Sequence, residues 1–92
     1  MTEAQEEAKK EYLETLDHNG EIEFMYNGFF YHIEPDYDKE DTYNIWKFAD
    51  RYEGGGEMIA TCSPAVSVLE EKVFDGKNIL EIEDDMTDCI LR

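Results

Sequence analysis

The chain reads as an α+β domain: an N-terminal helix, an antiparallel four- to five-stranded sheet built on a β-hairpin over residues 21–34, and C-terminal helices on one face. Three observations predict this. The stretch EIEFMYNGFFYHIE, Glu21 to Glu34, is two alternating runs around Asn27-Gly28, the dipeptide that best tolerates the two positive φ values of a type I′ turn. Thr42 to Ala49 and Glu57 to Cys62 are two further runs of β-branched and aromatic residues, separated by Gly54-Gly55-Gly56. The segments on either side of these four runs carry helical spacing, without βαβ alternation, so the sheet is expected to be antiparallel.

Taken in order, Thr2 and Gln5 have capping-box spacing, and Ala4, Ala8, Tyr12 and Leu16, with Leu13 beside them, form an apolar stripe. A helix from about Glu3 to Asp17 follows, stopped by Asn19-Gly20, with its stripe over the Ile22/Phe24/Tyr26 face of the hairpin. A two-residue loop fixes the hairpin register. Tyr26 then faces Phe29, Phe24 faces Tyr31 and Ile22 faces Ile33 on an apolar side, while Met25 faces Phe30, Glu23 faces His32 and Glu21 faces Glu34 on a mostly solvated one.

Pro35 ends the strand and opens the acidic loop PDYDKED. In Thr42–Ala49 the pairs Tyr43/Ile45 and Trp46/Phe48 fall on opposite faces, as suits an inner strand or one with a bulge. The three glycines predict a mobile turn, and Glu57–Cys62 returns as the fourth strand. Ser63-Pro64 has the form of a helix start, and Val66, Leu69 and Val73 at helical spacing predict a second helix over Pro64–Val73. Asp75-Gly76 breaks it, Asn78 can cap a short helix through Met86, and Cys89–Leu91 closes as an edge strand.

Ninety-two residues, 41% hydrophobic and 13% aromatic, suffice for one modest core, so residues 1–92 are read as a single acidic domain. Twenty-four acidic against eight basic residues give a net charge of -16, which repels phosphates and excludes ordinary direct nucleic-acid binding while favouring a basic partner. No apolar run approaches the roughly 18 residues of a membrane span, and the N-terminal MTEAQEEAKK is too acidic for a signal peptide, so the expected location is the cytoplasm. Cys62 and Cys89 lack CxxC spacing and are read as reduced thiols.

Tests for chemistry fail one after another. Asp17-His-Asn19-Gly20-Glu21 begins like a calcium loop, but its glycine is misplaced and Gly28 stands where the bidentate Glu is required. Asp36 to Asp41 lacks the central Gly and the distal Glu. His18 and His32 are the only imidazoles, and with Cys62 and Cys89 scattered they form no zinc motif; His32 opposite Glu23 reads as a cross-strand ion pair. Ser63 is claimed by a helix cap, neither cysteine has a basic neighbour, and the glycines lack the Lys of a phosphate loop. The expectation is a non-enzyme with no cofactor and no metal.

The acid is concentrated. Residues 21–41 hold seven carboxylates against the single Lys39, whereas 42–62, with Trp46, is nearly neutral. Carboxylates two apart on a strand lie roughly 6 to 7 Å apart on one face, so Glu21/Glu23, Asp36/Asp38 and Glu81/Glu83 can imitate a phosphate backbone. The candidate contacts are Glu21, Glu23, Glu34, Asp36, Asp38, Glu40 and Asp41, with Tyr37 as an aromatic anchor for a guanidinium-rich groove.

In size, acidity and layout the chain resembles the small acidic phage-encoded inhibitors of bacterial defence nucleases, the DNA-mimic and anti-CRISPR proteins. The resemblance implies an inhibitor that occupies a basic, nucleic-acid-binding surface of a partner such as a nuclease complex. The tail FDGKNILEIEDDM is also similar to those of small Gram-positive and phage proteins with a GK-x-L-x-x-I pattern, which Ile79 and Leu80 blur here. The alternatives are an immunity protein or antitoxin neutralising a basic toxin, and a housekeeping or metal-responsive domain whose acidity is incidental.

Overall fold

The computed structural model describes residues 1–49 and 54–92. Helix α1 spans Glu3–Asp17 and is capped at both ends by its own sequence. The Thr2 hydroxyl accepts from the Gln5 N–H at 3.1 Å while the Gln5 side chain accepts from the Thr2 N–H at 2.9 Å, closing the capping box. At the other end Asn19 takes φ 57° and the Gly20 N–H donates to the Thr15 carbonyl at 2.8 Å. Gly20 is required by proximity as well, since a Cβ there would lie 2.9 Å from the backbone of Arg92.

The sheet consists of β1 (Ile22–Tyr26), β2 (Phe29–Pro35), β3 (Tyr43–Phe48), β4 (Glu57–Cys62) and β5 (Thr87–Leu91), all antiparallel, in the order β4-β3-β2-β1-β5. The hairpin register is the one its turn dictates, from Tyr26 opposite Phe29 to Ile22 opposite Ile33. Strand β3 is both inner and bulged, the register against β4 shifting between Ile45 and Trp46. Strand β5 begins two residues before the expected Cys89 and carries one extra residue where it passes Phe24; Asp88, at φ 54°, lies in this bulge.

One face of the sheet builds the core. Ile22, Phe24, Tyr31, Ile33, Tyr43 and Ile45 lie under Ala8, Tyr12 and Leu16 of α1 and under Val68, Leu69, Phe74, Ile79 and Ile82 of the C-terminal segment. Phe74 meets Phe24 and Tyr31 edge-on at 5.5 and 5.0 Å, and such ring pairs add about 0.5–1.5 kcal/mol each beyond their buried area. The helix stripe is thus shared between the hairpin and the C-terminal segment, to which it is also tied by the Gln5 amide donating to the Leu80 carbonyl and by the Tyr12 hydroxyl donating to Glu83 at 2.6 Å.

Two expected helices are replaced by tighter, shorter turns. Pro64–Val73 is a 3-10 helix over Ala65–Leu69 only, with no side-chain cap from Ser63. The Ala65 N–H is instead taken by the Asp41 carboxylate at 3.1 Å, and the three-residue period turns Ala65 and Val68 inward while leaving Val66 half exposed. In the 78–86 segment Asn78 and Glu81 cap each other reciprocally, each backbone N–H donating to the other's side chain at 3.0 Å, but only a 3-10 turn at Glu83–Asp85 follows.

The opposite face of the hairpin, expected to be mostly solvated, holds two buried side chains. Phe30 is covered by Phe48, its partner across β3, at 5.6 Å between rings, and Glu23 is covered by Arg92, which pairing of β5 with β1 brings alongside. On the core side Phe29, expected to be interior, is 38% exposed at the sheet's end, where the Lys47 ammonium lies 4.1 Å from its ring centre.

Candidate functional site

The eight residues singled out from sequence separate into two groups that meet at one end of the sheet. Glu21, Glu23 and Glu34 stand on the face away from the helices; Asp36, Tyr37, Asp38, Glu40 and Asp41 form the β2–β3 loop. Within the loop, exposure and structural duty divide the residues sharply. Asp36 accepts from the Asp38 N–H at 3.0 Å and from the Asn44 amide at 3.3 Å, and its own N–H donates to the Thr42 carbonyl at 2.9 Å. Asp41 takes φ 48° and caps the 3-10 helix through Ala65. Both carboxylates organise the chain. Asp38 and Glu40 are exposed, as is Lys39 between them, and Tyr37, just before Asp38, has 77% of its surface open.

The loop residues Asp36, Tyr37, Lys39, Glu40 and Asp41, together with Asn19, line a shallow hollow of about 240 Å³. Asp41 also borders a second hollow of about 340 Å³ that contains the exposed side chains of Leu13 and Val66. An aromatic and two aliphatic side chains therefore stand in the open beside carboxylates. Isolated apolar side chains are ordinary on a protein surface, but exposed ones beside adjoining, mainly acidic hollows have the make-up of a protein-binding surface.

On the sheet face, Glu23 is only 7% exposed and is ion-paired to the Arg92 guanidinium, so its charge is already matched within the chain. That pairing redirects His32. Although His32 stands opposite Glu23 in the register, its Nε2 lies 2.5 Å from Glu21 Oε1, a diagonal contact in place of the direct one expected. Glu34, two residues along β2 from His32, turns its carboxylate to the same spot, and one ligand-capable atom from each of Glu21, His32 and Glu34 falls within 4.8 Å of the others. No sequence motif marks this trio. Its signal is the register itself, which sets Glu21 opposite Glu34 and puts His32 on the same side.

Away from this face, Cys62 and Tyr43 are titratable groups buried in the core. Burial, and next the neighbouring Glu71, pushes the Cys62 thiol up to about 11, far from a reactive thiolate at neutral pH. Cys62 is buried, Cys89 is exposed, and both are free. Burial likewise raises Tyr43 to about 12, with its hydroxyl donating to the Gly20 carbonyl at 2.8 Å. The Trp46 indole N–H is buried without a hydrogen-bond partner among the described residues. No described helix is long and apolar enough to cross a membrane. No family model, curated protein or solved structure matches the chain.

Proposed function

We propose that the chain is a non-enzymatic acidic binding protein that occludes a basic, nucleic-acid-binding surface of a partner, such as that of a nuclease complex. The observation that carries this reading is the β2–β3 loop, in which Tyr37, Asp38 and Glu40 are all exposed, with Lys39 the one cation among them, while Asp36 and Asp41 hold the backbone from within. A loop already fixed by its own hydrogen bonds loses little conformational freedom on binding. Tyr37 offers a ring face to a guanidinium, and the exposed carboxylates of Asp38 and Glu40 offer bidentate acceptors to arginine. The net charge of -16 would speed encounter with a basic groove at low salt.

The test uses residues that bind without building. Asp38→Asn/Glu40→Gln and Tyr37→Ala leave the internal hydrogen bonds of Asp36 and Asp41 intact. In pull-downs from the native host or target cell, the parent chain should capture a basic nucleic-acid-handling protein, release it as salt rises and be displaced by a short duplex or guide RNA. Loss of Tyr37 should weaken capture by about 30-fold, the effect of roughly 2 kcal/mol at an interface anchor. Equal capture by the variants would overturn the assignment of the loop. Capture of a basic toxin, with no competition by nucleic acid, would replace the mimic with an immunity protein or antitoxin.

A further inference from the structure

Glu21, His32 and Glu34 bring two carboxylates and an imidazole to one half-buried spot on the open sheet face, with the ligand-capable atoms within 4.8 Å of one another. We infer that this trio is a binding site for a divalent first-row transition cation, Zn²⁺ being the probe of choice. A zinc ion with nitrogen and oxygen ligands at about 2.0–2.2 Å sets those ligands about 3.3 Å apart in a tetrahedron, so the three atoms need only small rotations to close on it. The 2.5 Å contact between His32 Nε2 and Glu21 Oε1 opens by roughly 1 Å as the metal takes the place of their hydrogen bond.

The backbone beneath the trio is fixed from several sides. His32 and Glu34 lie on β2, which is paired along both edges. Glu21 is pinned where its carbonyl accepts from the Arg92 N–H at 2.9 Å and where the preceding Gly20 carbonyl accepts from Tyr43. Ligands carried on a rigid sheet cost little to organise. The choice of metal follows from the donors. Imidazole is a poor ligand for calcium or magnesium, which seek six or more oxygens, and suits zinc, cobalt and nickel. Two carboxylates cancel the charge of a divalent ion, and three protein ligands leave a position open to water or to a donor atom from another molecule. Glu23, committed to Arg92, is not a fourth ligand.

The site is tested by calorimetry of Zn²⁺ binding in millimolar Mg²⁺, which occupies the diffuse acidic surface. One Zn²⁺ per chain is expected, with His32→Gln, Glu21→Gln and Glu34→Gln each weakening it at least about ten-fold, and with His18→Gln and Asp38→Asn/Glu40→Gln leaving it unchanged. In the unaltered protein, Zn²⁺ should shift the imidazole proton resonances of His32 and not those of His18, a readout independent of how well any variant folds. Binding that Mg²⁺ abolishes, binding retained by His32→Gln within two-fold, or zinc-induced shifts at His18 alone would each overturn the assignment. These outcomes are independent of the loop's partner, since Tyr37, Asp38 and Glu40 take no part.

Discussion

The Asn27 side-chain amide donates to the Asp75 carboxylate at 2.9 Å, joining two tight turns that lie far apart in sequence. Both turns place two consecutive residues in the left-handed region, Asn27-Gly28 at φ 50° and 84° and Asp75-Gly76 at 55° and 78°. The second closes a miniature hairpin, with Phe74 and Lys77 exchanging backbone hydrogen bonds at 3.1 Å, and so aims Phe74 into the ring cluster with Phe24 and Tyr31.

A Cβ at Gly28 would meet nothing within 4 Å, so the cost of substituting it lies in the backbone alone. Gly28→Val should destabilise by about 1–2 kcal/mol, lowering Tm by about 5–15 °C, whereas Gly28→Asn should be tolerated much better. An unchanged Tm for the valine variant, followed by circular dichroism, would exclude the positive-φ turn.

Glu23 and Arg92 form an ion pair in which the carboxylate is buried and the guanidinium more than half open. Arg92→Ala should therefore cost about 1–3 kcal/mol, the penalty for a buried acceptor left unsatisfied, which is less than the roughly 3–5 kcal/mol for breaking a fully buried pair. Glu23→Gln leaves only the more exposed guanidinium without its partner, and no buried charge, so it should cost less. Urea unfolding of the two variants and of their double mutant measures the coupling directly.

Stability should fall at alkaline pH. Burial is the main cause that raises Tyr12, Tyr31 and Tyr43 above the ordinary tyrosine value of 10, with Tyr43 reaching about 12. Their contribution is fully present below pH 10, where the phenols are neutral in both states. It is then lost as the unfolded chain ionises first, by about 1.4 kcal/mol per pH unit per tyrosine, until the folded phenols ionise, for Tyr43 near pH 12. Tyr43→Phe should cost about 0.5–1.5 kcal/mol at neutral pH through its lost hydrogen bond to Gly20, yet lose stability less steeply above pH 10. Chemical denaturation at a series of pH values gives both quantities.

Asp41→Ala should destabilise by about 1–2 kcal/mol, because it removes the acceptor for the Ala65 N–H and puts alanine at φ 48°. Asp41→Asn keeps both features and should be nearly neutral, as should Asp38→Asn. Comparing the three Tm values separates the carboxylates that build the loop from those that only decorate it.

What could be read from sequence followed the range of the interactions. The hairpin register, the β4 bounds and the capped α1 were legible because each is set within a few residues, by side-chain alternation, by an Asn-Gly turn or by a capping box. The helix expected over Pro64–Val73 was not, because Asp41 supplies its first acceptor from a different loop and the 3-10 period reassigns Val66 to solvent. The solvated face expected for Glu23 and Phe30 failed similarly: Arg92 and Phe48 reach them only once β5 and β3 have paired. For the candidate site, position in the fold was legible and duty was not, since sequence alone gives Asp36 and Asp38 the same description while only the first is engaged in building its loop.

The extra residue in β5 has a consequence for how the sheet ends. An edge strand offers a ladder of backbone groups to any other extended chain, and a regular one can be lengthened indefinitely by strand addition. Asp88, in the left-handed region at the bulge, interrupts that ladder with a local twist. The outer rim of β5 is therefore a poor template for a sixth strand. Deleting Asp88 would restore a straight rim and, with it, an open route to fibrillar assembly.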